Sequence, residues 1–241
     1  MKPIVIIPTY NEKENIVAML DKVMSLDVDF DVLVVDDNSP DGTADLVKMQ
    51  QSNYPQIHLL ENGAKNGLGT AYINGFHWCL ERDYAYIFEM DCDFSHNPED
   101  LIRLLDELEN GTCDLVVGSR YVGNVVNVVN WPMGRVLLSY FASAYVRFFT
   151  RMKLSDATAG FVGYSRKLLS TIDLNAIKFR GYAFQIEMKY TAFRLGYPIK
   201  EIPIIFANRT AGESKMHGGI IKEALIGVLQ LRFKSIRPKK S

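Results

Sequence analysis

The sequence predicts an α/β fold: a doubly wound, mostly parallel sheet with helices on both faces and amphipathic helices toward the C-terminus. Three observations predict it. Short apolar runs alternate with segments of helical periodicity through the first half of the chain. Each loop expected at a strand's carboxyl end is rich in polar or glycine residues, and in open α/β sheets ligands bind beyond those ends. A hydrophobic content of 48% over 241 residues gives ample core for one large domain, or for one domain plus a small appendage.

In order along the chain, residues 2–8, with Ile4-Val5-Ile6-Ile7, read as a buried strand that Pro8-Thr9-Tyr10-Asn11-Glu12 ends. A helix is predicted over 15–25, where Ile16, Met19, Leu20 and Val23 recur at helical spacing. Residues 31–35 make a second buried strand, closed by Asp36-Asp37-Asn38-Ser39-Pro40-Asp41-Gly42-Thr43, with a helix beginning near Thr43. A third strand at 57–60 precedes Asn66-Gly67-Leu68-Gly69-Thr70 and a helix through Leu80. A fourth strand at 86–90 runs into Asp91-Cys92-Asp93, and a helix over 98–109 follows. Residues 115–118 form a fifth strand. Long helical connections between strands imply parallel βαβ units, so the loops at 8–12, 36–43, 66–70 and 91–98 gather on one sheet edge.

That convergence is the argument for a nucleotide site. Gly67 and Gly69 alone only make a tight turn, and they follow the third strand, so they are not a dinucleotide fingerprint. Asp91 and Asp93, one residue apart at a strand end, are hard oxygen donors suited to Mg²⁺ or Mn²⁺, ions usually shared between one or two carboxylates and phosphate oxygens. His96 stands three residues past the pair; a hard cation prefers oxygen, which favours a structural or supporting role over a ligand.

The net charge of −1 hides an asymmetry. Residues 1–114 hold 22 acidic and 7 basic side chains, whereas 115–241 hold 6 acidic and 20 basic. The acidic half suits metal handling and the basic half suits phosphate or an anionic membrane surface, unless the charges merely solvate helix faces. Cys79, Cys92 and Cys113 are odd in number and lack metal-ligand spacing, which fits a reducing cytosol rather than a disulfide framework. An apolar strand begins within three residues of Met1, so no signal peptide is expected, and no uncharged run approaches the ~20 residues that span a bilayer.

Pro8-Thr9-Tyr10-Asn11-Glu12, the 36–43 loop, Gly67-Leu68-Gly69-Thr70-Ala71-Tyr72 and Met90-Asp91-Cys92-Asp93-Phe94-Ser95-His96 together resemble the inverting family-2 glycosyltransferases of GT-A fold. The similarity continues through Gly118-Ser119-Arg120-Tyr121, residues 156–161, 181–188 and Gly212-Glu213-Ser214-Lys215, where it narrows to the dolichyl- and polyprenyl-phosphate mannose synthases. The resemblance implies that Pro8, Tyr10, Glu12 and Asp37 border the base and ribose, with Gly67 in the donor site. It implies that Asp91, Asp93 and the Cys92 carbonyl hold the divalent ion; some relatives carry Gln where this chain has Ser95, which leaves the part of Ser95 in coordination open. It implies mannose transfer from GDP-mannose to a polyprenyl or dolichyl phosphate, with a UDP-sugar such as UDP-glucose as the alternative donor.

Arg120, Arg135, Ser139, Arg209 and Lys215 match the family's phosphate-handling positions. Such an acceptor is largely a dianion at neutral pH, so it needs cations to hold it in line more than a base. Asp156 either orients the sugar or orients an arginine; a covalent nucleophile role is disfavoured because two displacements would retain configuration. Glu187 either contacts the sugar or braces the site.

A catalytic domain is expected over 1–218, with a nucleotide and metal half at 1–117 and an acceptor half at 118–218. Within the latter, residues 132–152 predict a helix with a polar stripe of Arg135, Ser139, Ser143 and Arg147; the rest of its surface is apolar, as in a core helix or one lying in a bilayer interface. Residues 219–241 supply an amphipathic helix, predicted over 220–236, and a basic tail. The chain resembles the shorter family form without transmembrane helices, which implies a peripheral protein on the cytoplasmic membrane face, anchored by lipid, by a partner subunit or by self-association. Readings from other classes are a silent nucleotide-binding adaptor, opposed by the intact Asp pair and basic set, and a nucleotidyltransferase, whose lysine-bearing glycine loop after the first strand is absent.

Overall fold

The computed structural model describes residues 2–122, 125–208 and 218–239. The strands are β1 (Lys2–Thr9), β2 (Asp31–Asp36), β3 (Ile57–Glu61), β4 (Tyr84–Glu89), β5 (Leu115–Ser119), β6 (Val128–Val129), β7 (Val162–Ser165), β8 (Ile199–Pro203) and β9 (Phe206–Ala207). The helices are α1 (Ile16–Met24), α2 (Thr43–Gln51), α3 (Leu68–Leu80), α4 (Asp100–Glu109), α5 (Met133–Thr150), α6 (Arg166–Thr171), α7 (Tyr182–Arg194) and α8 (Gly218–Phe233). Every element predicted from the sequence is present, with no end moved by more than three residues.

Seven strands make one sheet in the order β3-β2-β1-β4-β7-β5-β8, and β6 pairs with β9 in a small parallel ribbon. Both faces of the large sheet are covered, which is why β1 and β2 are apolar without alternation. Side chains alternate across the sheet: Ile4 and Ile6 pack with Tyr72 and Phe76 of α3 and Phe184 of α7. Val5 and Ile7 pack on the other face with Met19 and Leu20 of α1 and Leu101 and Leu104 of α4.

The chain winds outward from β1 to β2 and β3, then returns to β4 on the other side of β1. The β1/β4 boundary is therefore a topological switch point, where two loops diverge and leave a crevice. Thr9 pairs with Asp36 across β1/β2, and Ile6 pairs with Glu89 across β1/β4. This register delivers the Tyr10, Asp37 and Asp91 loops to one edge.

β7 is antiparallel to both β4 and β5 and separates the two parallel parts of the sheet. Its four residues include Gly163, where a Cβ would stand 2.6 Å from the Phe88 ring and 2.9 Å from Val116. A strand so short, interrupted by a glycine that close packing demands, has no periodic signature to read. β8 lies at the sheet's far edge and carries Lys200 and Glu201, so it too lacks an apolar run.

α5 and α8 pack with α7 around a separate cluster that includes Val146, Ile186, Tyr190, Val228 and Leu231. The helix expected over 220–236 stops at Phe233; residues 234–239 leave it and pass back over α6, where the Lys239 N–H donates to the Thr171 carbonyl. No helix among the described residues is long and apolar enough to cross a membrane.

Candidate active site

A cleft of about 640 Å³ opens at the carboxyl edge of the sheet. Pro8, Tyr10, Glu12, Asp37, Gly67, Asp91, Cys92, Asp93, Arg120, Arg135 and Ser139 all line it, so residues from both charge halves share one cavity. Ser95, Asp156 and Glu187 lie behind its walls, and Arg209 and Lys215 fall outside the described residues.

One wall is built by the loops after β1, β2 and β3. Thr9 Oγ1 donates to Asp36 at 2.8 Å, and the Asp37 N–H donates to the Thr9 carbonyl at 3.0 Å. Asp37 itself accepts from Asn62 Nδ2 at 2.7 Å and from the Asn66 N–H at 3.3 Å, and Asn74 in turn donates to Asn62. Asp37 is thus a fixed acceptor. Lys65 lies over the Tyr10 ring at 3.8 Å, and it is a cleft residue that sequence reading missed; its only signal was its place beside the glycine turn. At the start of α3 the Gly69 N–H donates to the Arg180 carbonyl at 2.8 Å. A Cβ at Gly69 would approach the Phe179 carbonyl oxygen to 2.9 Å, so this close approach of α3 to the 179–181 segment requires glycine.

Asp91 and Asp93 follow β4 directly. The Ser95 N–H donates to Asp93 Oδ1 at 3.0 Å, a bond that orients the carboxylate through the backbone of Ser95. Phe94 has φ 57°, a left-handed conformation that a phenylalanine adopts only when its surroundings impose it. The Cys92 side chain is buried in the core, and burial pushes its thiol well above the ordinary range, so it offers no thiolate beside the two carboxylates. Among the described residues no three His, Cys, Asp or Glu side chains gather as a ready-made metal cage. Two carboxylates facing a cleft fit a Mg²⁺ or Mn²⁺ ion that takes its other ligands from phosphate and water, and do not fit a soft metal.

His96 lines the cleft and is almost wholly buried, stacked on Phe161 at 4.9 Å and edge-on to Phe206 at 5.1 Å. Burial pulls its pKa down to about 4 against the opposing pull of Asp93, so the ring is neutral at pH 7. Its packing is that of a supporting residue. Behind it, Glu89 accepts from Tyr164 at 3.1 Å and from Gln185 Nε2, while Lys189 donates to the Ala159 carbonyl at 2.6 Å. Burial raises Glu89 to about 7 and lowers Lys189 to about 8. This polar network was invisible in sequence, because Glu89 sits in an apolar strand and Lys189 in a helix with little amphipathic character.

The opposite wall is cationic and aromatic. Asp156, fully buried, receives the Arg120 guanidinium in a two-point bond, Nε at 2.6 Å and Nη2 at 2.7 Å, plus the Arg120 N–H at 3.1 Å. Burial alone would raise the Asp156 pKa, but the Arg120 charge and its hydrogen bonds hold it below the ordinary value. Of the two roles expected for Asp156, this geometry is that of an arginine holder. Trp131, also missed in sequence, stacks with Arg135 at 4.0 Å and stands edge-on to Phe206. The α5 stripe divides: Arg135 and Ser139 reach the cleft, Ser143 is buried, and Arg147 donates to the Leu154 and Ser155 carbonyls beside Asp156. On the outside of α5, Met133, Phe141 and Phe148 are exposed by 70%, 62% and 78%, so the helix has an uncovered apolar face. Glu187 accepts the Lys178 and Phe179 N–H groups at 2.9 Å and pairs with Lys234, bracing the 178–181 segment from below.

The chain is similar along its whole length to proteins of named activity. It is 45% identical over 243 residues to the undecaprenyl-phosphate mannosyltransferase of Micrococcus luteus, covering 99% of each chain. It is 43% identical over 231 residues to the polyprenol monophosphomannose synthase of Mycolicibacterium smegmatis, covering 95% of this chain and 86% of that protein. The fold matches that of glucosyl-3-phosphoglycerate synthase from Mycobacterium tuberculosis, solved with Mn²⁺, UDP and glucosyl-3-phosphoglycerate, with a TM-score of 0.69 over 96% of this chain and 80% of that one, at 18% identity. Residues 4–173 match the profile of Glycosyl transferase family 2, and with the acidic pair at the sheet's switch point and the full-length relatives, they make this chain a family-2 glycosyltransferase of GT-A fold.

Proposed function

We propose that this enzyme transfers mannose from GDP-mannose to the phosphate of a polyprenyl monophosphate, with inversion, releasing GDP. The observation that carries the reading is one cleft with an acidic pair on one wall and Arg120, Arg135 and Ser139 on the other. The names of the two full-length relatives support the lipid acceptor and the sugar.

In this reading Tyr10, Glu12 and Asp37 hold the nucleoside, and Asp91, Asp93 and the Cys92 carbonyl hold Mg²⁺ or Mn²⁺. The ion would neutralise the departing diphosphate as a Lewis acid. Arg120, fixed by Asp156, and Arg135, fixed by Trp131, align the acceptor phosphate for attack on the anomeric carbon; Ser139 donates a hydrogen bond, and Arg209 and Lys215 complete the cationic set. One phosphate oxygen forms the new bond to carbon while the bond from that carbon to the diphosphate breaks. An acceptor already dianionic needs no proton removed, which accords with a cationic wall where an acyl or glycosyl acceptor hydroxyl would call for a base.

The exposed apolar face of α5, with Ile226, Leu229 and Phe233 of α8, lies against a membrane and lets the lipid chain stay in the bilayer while its phosphate enters the cleft. The cytoplasmic face suits Cys79, Cys92 and Cys113, which are unpaired and buried.

Purified enzyme with Mg²⁺ or Mn²⁺ and a short polyprenyl phosphate, offered GDP-mannose or UDP-glucose separately, tests the reading. Lipid-linked β-mannose from GDP-mannose alone supports it; product from UDP-glucose alone overturns the donor, and retained configuration overturns the single displacement. Anionic vesicles should retain the enzyme and release Phe141→Asp and Phe148→Asp variants; equal retention of all three would overturn the membrane face.

A further inference from the structure

We infer that Lys234 is a positioning residue for the donor site, acting from the C-terminal segment through a buried carboxylate. The inference rests on the proposed nucleotide-sugar reading of the cleft.

Six contacts make the path. Lys234 Nζ pairs with Glu187 and donates to the Ala176 carbonyl at 2.7 Å. Glu187 is fully buried on α7, and its other oxygen accepts the N–H groups of Lys178 and Phe179 at 2.9 Å each. The segment these bonds fix continues into Arg180 and Gly181, both cleft residues. Arg180 accepts the Gly69 N–H at 2.8 Å and donates to Thr70 Oγ1 at 2.6 Å, which ties the segment to the first turn of α3. That turn begins at Leu68, after Gly67, and both residues line the cleft.

The chemistry explains why the cation matters. A carboxylate taken fully out of water is costly unless its charge is balanced. Two backbone N–H groups satisfy one oxygen of Glu187, and the Lys234 ammonium supplies the balancing charge to the other. Without it, the carboxylate would draw in water or a proton and loosen its hold on the 178–179 backbone. Phe179 is meanwhile packed against the cluster formed by α5, α7 and α8, so loss of the ion pair leaves the segment attached but less exactly set. The loosening reaches α3 and the donor wall; the acceptor wall of Arg120, Asp156, Arg135 and Trp131 shares none of these bonds.

The test compares wild type with Lys234→Met, Lys234→Arg, Glu187→Gln and the Lys234→Met/Glu187→Gln double variant. For each, KM is measured for nucleotide sugar and for polyprenyl phosphate, together with kcat, Tm, and GDP affinity with Mn²⁺ in the absence of lipid. Lys234→Met should raise the donor KM and the GDP Kd about tenfold, with the lipid KM held within about twofold. Lys234→Arg should restore most of the loss, and the double variant should be no worse than the poorer single one. Unchanged donor KM and GDP Kd in Lys234→Met would overturn the inference. So would equal shifts in donor and lipid KM that track a lower Tm, the signature of a purely structural pair. Should Lys234→Met not fold, Glu187→Gln and Lys234→Arg decide by the same split. Measured on whichever nucleotide sugar the wild type turns over, the comparison stands apart from the donor assignment, which a wild type silent with GDP-mannose would refute alone.

Discussion

The two walls of the cleft are made in different ways. The donor wall is the edge of a parallel sheet buried on both faces, with acidic groups held by backbone N–H and amide donors of neighbouring loops. The acceptor wall joins one strand end, where Arg120 follows β5, to the helix α5. Its arginines are placed by a buried carboxylate and an indole ring, and its outer helix shows an apolar face. One wall is positioned by topology, the other mainly by side-chain pairing, so the first should tolerate loss of any one hydrogen bond and the second should be more sensitive to loss of Asp156 or Trp131.

The largest effect should come from the donor wall's charges rather than its scaffold. Asp91→Ala or Asp93→Ala should lower kcat by on the order of 10³-fold or more while Tm falls little, since the change removes a carboxylate at the cleft and no apolar packing. Activity kept by either variant would remove the ion from that wall. On the acceptor wall the order reverses. Asp156→Ala leaves Arg120 buried and unbalanced and should cost about 3 kcal/mol of stability, read by urea unfolding, alongside lost activity. A fully stable Asp156→Ala protein would show the wall to be less dependent on pairing than its geometry implies.

Arg135→Ala should cost about 10- to 100-fold in kcat/KM for lipid phosphate and leave GDP affinity unchanged. Equal losses on both substrates would dissolve the division of labour between the walls. The smallest effect concerns His96, at the seam. Its folded pKa of about 4 lies below the ordinary 6.5, so the unfolded chain takes up the proton first. Its contribution is fully present above pH 6.5 and drains as pH falls toward 4, by about 1–2 kcal/mol at pH 5. Glu89, raised to about 7 by burial, runs the other way over pH 4.5–7, so the check is the difference between wild type and His96→Phe. No difference in their pH slopes would mean that His96 does not report the burial of the seam.

The same contrast explains what was legible in the sequence. β1, β2 and β4 announce themselves because a strand buried on both faces must be apolar throughout, and their loops carry the residues that need the sheet edge. Asp91 and Asp93 stood out for that reason, whereas Tyr10 and Asp37 were picked from their loops by likeness to a family. β7 and β8 were not, being short and broken by Gly163 or by charge. Arg120 and Arg135 were picked out only by likeness to a family, since nothing local separates a held arginine from a solvated one. Lys65, Arg180 and Lys234 had no such cue: what they do depends on partners far away in the chain.

The antiparallel β7 has a consequence for how the chain is made. β1 to β4 can pair among themselves as soon as residue 89 has emerged, and the acidic pair follows within four residues. β5 cannot join them. Its two neighbours are β7 and β8, both still to be synthesised, so it waits with bare edges until at least residue 165 appears. A fragment ending after Ser119 would therefore carry a mostly apolar strand with nothing to pair with. The first 119 residues thus cannot be cut free as a clean unit: their last strand belongs, by hydrogen bonding, to the segment that follows.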